Sequence, residues 1–320
     1  MFREVDLMRQ NASTTAHAAV RVPEQLVMTV PEERLLESAI NIETASPSGD
    51  DIRYMHSIMC QVGLPRSKVD DTVFERKSGG AILLVRAGHI FDGNEMVQQP
   101  VPYGAMPRLM LTWMNTYAVR HKTAEIPVGD SASEFLRMLG IEPGGGKRGS
   151  YTTFCKQAQA LAACDLTLGF NANGHAHTFY GKPIEHFEMW SQTENGQRAL
   201  WPGIITFTDS YFKALADHAV PLDMRALIAL KGSSLAMDIY AMLSDRLHRI
   251  TGRPVILHWK NLREQFGQEY KGNDPDKDFK REFLKALDQV QMVYQKAKIR
   301  KVKGGLLLMQ SPPPIPYNCV

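Results

Sequence analysis

At 320 residues, with 44% hydrophobic and 22% charged residues, the chain is long enough for two ordinary domains and has the composition of a globular protein. Cys60, Cys155, Cys164 and Cys319 are scattered without a CxxC pair, which speaks against a disulfide framework and a zinc knuckle, and no run approaches the roughly 20 apolar residues of a membrane span. The first twenty residues lack a long apolar core and contain acids, so a secretory signal is not expected and a cytoplasmic protein is.

Residues 1–22 read as a flexible tail. Proline suits the first position of a helix, so a helix is expected from Pro31 through Glu37, ended by the linker Ala45–Asp50. Ile52, Met55, Met59 and Val62 are spaced for one apolar helical face over 52–62. Gly79 to Val101 reads as a hairpin, with AILLVRAGHIF as one strand, Asp92-Gly93-Asn94 as the turn and EMVQQPV as the return.

Past Pro107, Met110, Trp113, Met114 and Tyr117 follow the helical period. Glu125–Val128 reads as extended. Asp130 or Ser131 caps the next helix, with Glu134 completing a capping box after Ser131, and Gly140 ends it. A glycine loop follows, then a helix capped by Ser150 and a strand pair around Asn171–Gly174. The C-terminal half repeats this order: a helix over 234–250, a strand at 253–257, a helix ended by Gly267, a long helix from Lys277, and two strands over 297–309. An offset of 127 places Met110 on Met237, Pro127-Val128 on Pro254-Val255 and Gly140 on Gly267. Helix, strand, helix, helix and strand pair is the order of a winged helix. The expected fold is therefore α+β, with two tandem winged-helix domains and a small N-terminal α+β extension. The corresponding domains are 1–50 (a flexible segment with one helix), 51–205 (extension and first winged helix), 206–312 (second winged helix) and 313–320 (a proline-rich tail).

Charge is concentrated in the last module. Between Lys277 and Lys303 nine cations face only Asp278, Glu282 and Asp288, a local net of +6 in a chain whose total is +3. Such an excess suits a polyanion, because Lys and Arg neutralise phosphates and release counterions. On the long helix Phe279, Phe283, Leu287, Val290 and Tyr294 form the core stripe, leaving Lys277, Arg281 and Lys285 on the opposite side, with Lys280 also in the basic set. An apolar back and a basic front suit a helix in the major groove. In the following strand, alternation puts Lys298 with Arg300 and Lys301 with Lys303, a basic wing for phosphates. In the first module Lys147 and Arg148 precede a helix whose outward residues include Thr152, Thr153 and Lys156. That face is either a second DNA contact or plain surface, and dimerisation is an alternative use of the module.

No enzyme signature survives inspection. Gly144-Gly145-Gly146-Lys147 lacks the Walker glycine, because Ile141 stands in its place, and Arg148 replaces the magnesium-binding Ser or Thr. His175, His177 and His186 have no adjoining thiolate or carboxylate pattern, and Asp274, Asp276 and Asp278 lack the glycine and closing Glu of a calcium loop. The three acids fit a helix N-terminus, with Asp274 or Asp276 as cap. The expectation is a binding protein with no catalytic residues, metal or cofactor.

Several stretches resemble the RepA-type plasmid replication initiators. They are Cys60-Gln61-x-Gly63-Leu64-Pro65-Arg66, Pro102-Tyr103-Gly104-x-x-Pro107-Arg108-Leu109, Val128-Gly129-Asp130-Ser131 with Phe135-Leu136-Arg137-x-Leu139-Gly140, Val220–Leu227, and Ser234-Leu235-Ala236-x-Asp238-Ile239-Tyr240. The resemblance implies a bacterial protein, associated with the plasmid or nucleoid. It would bind direct double-stranded DNA repeats (iterons) at a plasmid origin, promote its opening and recruit host initiator, helicase and chaperone proteins. It also implies a monomer–dimer equilibrium and a part in copy control. The alternative is a winged-helix transcriptional repressor without initiation activity.

Overall fold

A computed structural model describes residues 28–147, 149–172, 175–181, 183–186 and 203–317. Its first element, helix α1 (Val30–Thr44), starts with Pro31 in its first turn and a capping box between Thr29 and Glu32. The expected helix over 52–62 is instead strand β1 (Ile52–His56) followed by the short helix α2 (Ser57–Gln61). The apolar spacing that suggested one helix is satisfied in two pieces. Ile52 and Met55 are buried from the strand, which pairs antiparallel with β11 (Ala219–Asp223), and Ile58 and Met59 are buried from the helix.

Strand β2 (Val73–Ser78) turns at Gly79-Gly80 into β3 (Ala81–Arg86), with Gly79 at φ +55. The stretch expected as one long strand breaks after Arg86. At Gly88 a side chain would run into the Ala163 carbonyl, so the chain needs glycine to pass. It resumes as β4 (His89–Phe91), which pairs with β5 (Met96–Gln98) around the Asp92–Glu95 turn.

Helix α3 (Ala105–His121), β6 (Glu125–Pro127), α4 (Ala132–Met138), α5 (Ser150–Ala163), β7 (Asp165–Ala172) and β8 (His175–Gly181) follow in the expected order. Ser131 caps α4 by accepting the Glu134 N–H at 3.1 Å. Ser150 does not cap α5: Gly149 occupies that position, and the Ser150 hydroxyl accepts the Gly144 N–H and donates to the Glu142 carbonyl, fastening the glycine loop. After β9 (Ile184–His186) come β10 (Ile204–Phe207), α6 (Asp209–Asp217), β11 and α7 (Met224–Ala229). The C-terminal half is α8 (Ser234–Arg246), β12 (Val255–His258), α9 (Trp259–Phe266), α10 (Pro275–Val293), β13 (Ile299–Val302) and β14 (Gly305–Leu308).

The fold is α+β. The element order of the two halves recurs, but their strand pairing does not. In the second half β12, β14 and β13 form one three-stranded sheet. In the first half β6 pairs with β10, next to β9, while the β7–β8 hairpin extends the β2–β3 pair into a four-stranded sheet. Strand β10 spans position 205/206, where the sequence places a domain boundary, and the β1–β11 pair also ties residues on either side of it. Among the described residues no helix is long and apolar enough to cross a membrane.

One buried group ties this fold to pH. His56 is fully buried, with Nδ1 accepting the Ile58 N–H at 3.2 Å and Nε2 without a partner. Burial, helped by the neighbouring His218, pushes its pKa down to about 4. The unfolded chain, with an ordinary histidine near 6.5, binds this proton first, so stability should be full above about pH 6.5 and fall toward pH 4. The shift corresponds to at most about 3 kcal/mol. Urea unfolding from pH 7.5 to 4.5 should show that loss, and His56→Gln should flatten the slope; an unchanged slope would remove His56 as its source.

Candidate nucleic-acid interface

Helix α10 is built to present one face. Asp274 caps it by accepting the Lys277 N–H at 3.2 Å, Pro275 opens the first turn, and Asp276 and Asp278 favour the positive end of its dipole. Phe279, Phe283, Leu287, Val290 and Tyr294 are all buried, against α8 and α9. Phe283 contacts Trp259, Phe266 and Phe279 edge-on or tilted at ring separations of 5.5–5.8 Å. This anchoring turns Lys277, Lys280, Arg281 and Lys285 to solvent.

The basic side chains are not equivalent. Arg281 pairs with Asp278 and Glu282, each at 3.0 Å, and Lys280 lies 5.0 Å from the centre of the Trp259 ring. The Arg281 side chain is 64% exposed, so its pairs are weak and exchangeable. Among the described residues Lys277 has no ion-pair partner. The Glu32 carboxyl of α1 has its pKa lowered chiefly by its bonds to Thr29, with a smaller effect from the Lys285 ammonium.

The β13–β14 turn holds Lys303 and Gly304, the latter at φ +91, and a side chain at Gly305 would strike the Leu257 carbonyl. Two glycines thus let the turn close against β12. The pairing register fixes the faces. Ile299 and Lys301 lie opposite the buried Leu308 and Leu306, on the helix side, and Lys301 reaches Asp288 of α10 at 3.0 Å. Arg300 lies opposite Leu307 on the other face, which also carries the 47%-exposed Ile256. Lys298 shares that side by alternation and lines an open groove of about 380 Å³ with His248 and Tyr317. The wing therefore sets Lys301 beside α10 and turns Arg300 and Lys298 away from it.

The first-half candidates form a separate group. Lys147, Thr153 and Lys156 are exposed and Thr152 half-buried, its hydroxyl donating to the Gly146 carbonyl at 2.9 Å. They belong to α5 and its preceding loop, and α5 packs on α3, α4, β4 and β9, whereas α10 packs on α1, α8 and α9. Arg148 lies outside the described residues, as do the side chains of His175, His177 and His186. Of the calcium-like acids, Asp276 pairs with Arg263 and Asp278 with Arg281.

Sequence reasoning missed a buried ionic junction behind this surface. Arg108 of α3 holds Asp238 of α8 through two bonds of 2.7 and 2.8 Å, and also donates to the carbonyls of Leu64, Pro65 and Gly104. Arg76, fully buried in β2, lies 3.8 Å from Asp238 and pairs with Glu269, which also holds Arg66. Burial lowers the Arg76 pKa to about 10, with Glu269 opposing the shift, so the guanidinium stays charged at neutral pH. At Gly63 a Cβ would stand 2.7 Å from the Asp238 carboxylate. The junction joins the first half to α8 and to the loop that leads into α10. Its signal was present in the sequence: Gly63, Leu64, Pro65, Arg66, Gly104, Arg108 and Asp238 all lie in the stretches that carry the RepA resemblance.

The family model described as plasmid encoded RepA protein matches residues 101–260, from just before α3 to the start of α9. No curated protein and no solved structure matches the chain.

Proposed function

The chain belongs to the plasmid-encoded RepA protein family, and on that premise we propose that it is an initiator that binds double-stranded direct repeats at a plasmid origin. The family makes it a plasmid replication protein. The observation that carries the DNA reading is the combination of α10 with the β13–β14 turn: Lys277, Lys280 and Arg281 project from a rigidly anchored helix, with Lys301 of the wing beside it and Lys303 at the turn. The sheet order β12-β14-β13 behind three helices supports a winged helix for the second half. The first half shares the element order and differs in strand pairing, so it acts as a modified module, touching DNA through Lys147, Thr152, Thr153 and Lys156 or mediating dimerisation. The action is binding: cations neutralise phosphate, Arg281 reads a base, and several copies on adjacent repeats strain the origin and present it to host replication proteins.

Arg281 provides the specificity test. Freed from Asp278 and Glu282, its guanidinium can make the bidentate bond that guanine accepts. Arg281→Ala should weaken binding to the cognate repeat about tenfold or more and leave a scrambled duplex nearly unaffected. Equal loss on both duplexes would make it a phosphate contact. A plasmid stripped of its own initiator should replicate when given this protein and its repeats; binding and repression without replication would establish the repressor reading instead.

A further inference from the structure

Helix α1 lies along the helix proposed to read DNA. It packs on α10 and α7 through the buried Leu35 and Ala39. Its N-terminal turn lies within electrostatic range of Lys285, whose ammonium adds a lesser effect to the Thr29 bonds that lower the Glu32 pKa, and its C-terminal end meets the end of α10, where Ile42 and Glu43 share a groove with Val293, Tyr294 and Lys296. Arg225 donates to the Ala45 carbonyl at 2.9 Å and holds that end in place. The two helices therefore run in the same direction, and α1 accompanies only the portion of α10 from about Lys285 onward.

The charges on α1 are mostly negative. Glu32, Glu33, Glu37 and Glu43 face only Arg34 among its residues, and all five are exposed. Packing thus sets a net negative helix beside the rear half of α10, whose own charges there are Lys285 and Asp288. We propose that α1 determines where the duplex sits: its exposed acids flank the rear half of α10 and repel phosphate there, confining the DNA contact to the first turns (Lys277 and Arg281) and the wing turn. The proposal rests on the DNA reading above and adds a specificity element to it. A contact restricted in this way has fewer free phosphate partners, which limits sequence-independent binding.

The test is made on the full chain. Glu32→Gln, Glu33→Gln and Glu37→Gln are combined; glutamine keeps the capping box at Thr29 and the helix propensity, so α1 stays folded. A control of equal charge change combines Asp70→Asn, Asp71→Asn and Glu95→Gln, exposed acids outside α1. At about 10 Å each removed acid is worth roughly a factor of two per phosphate at low salt. The α1 variant should bind a scrambled duplex about fivefold more tightly than the unaltered chain, and the control less than twofold. Lys285→Ala should cost little in the unaltered chain and several-fold in the α1 variant, because only there are the acids that keep phosphate away from the ammonium removed. An α1 variant that binds no better than the control, or a Lys285→Ala loss equal in both backgrounds, would overturn the proposal. If the unaltered chain binds no duplex at all, the DNA reading itself fails and this inference with it.

Discussion

Asp238→Ala should destabilise the protein by about 3–5 kcal/mol, the cost of breaking a buried ion pair from one side. The carboxylate is 7% exposed and satisfies Arg108 through two short bonds while lying 3.8 Å from Arg76. Removing it leaves two guanidiniums buried against the Leu64, Pro65 and Gly104 carbonyls without a full counter-charge. Arginine keeps its proton even there, so the cost cannot be escaped by neutralisation. Glu269→Gln should cost less, because that carboxylate is 19% exposed and water replaces part of what is lost. Denaturant unfolding of both variants measures the difference. An Asp238→Ala change of less than about 1 kcal/mol would mean that the junction is not a stabilising contact. The junction also sets the path of the loop from α9 into α10, so variants that still fold should bind duplex less well than their surface charge implies.

The second large effect concerns the interface itself. Lys277→Ala, Arg281→Ala and Lys303→Ala combined should lower duplex affinity at least a hundredfold and reduce the slope of log K against log salt by about 2 to 3. These residues stand on two elements, the first turns of α10 and the β13–β14 turn, and all three are exposed. None is part of the apolar core, so the variant should unfold at the same denaturant concentration as the unaltered chain. Arg300→Ala and Lys298→Ala provide the contrast. Their side of the sheet faces away from α10, so they should cost much less, although they are equally cationic.

Helix α10 was legible because most of its signal is local, a capping Asp and five apolar residues at helical spacing, although it begins at Pro275, two residues before the expected Lys277. Strand β1 was not. Ile52 and Met55 also fit a helical period, and what decides the matter is an antiparallel partner at Ala219–Asp223, far outside any sequence window. Strand β2 was hidden by Arg76, a charge at an inward position where alternation requires an apolar residue. Arg108 and Asp238 are 130 residues apart and each reads as surface on its own, since charged residues are seldom buried unless paired. The wing shows the same limit on a smaller scale. Alternation separates Lys298 and Arg300 from Lys301 and Lys303, but only the Asp288 contact tells which pair lies beside the helix. The packing of α1 on α10 was equally invisible, because a helix at Pro31 says nothing of the helix it packs against.

The central claim is that α10 and the β13–β14 turn form a duplex-binding surface. Fluorescence anisotropy of a labelled duplex from the DNA beside the gene, chosen for direct repeats and titrated with the full chain from 50 to 300 mM salt, tests it most directly. The expected result is binding that weakens steeply with salt, exceeds binding to a scrambled duplex, and is lost in the Lys277→Ala, Arg281→Ala, Lys303→Ala chain. Binding that is flat with salt, or unchanged in that chain, would contradict the account.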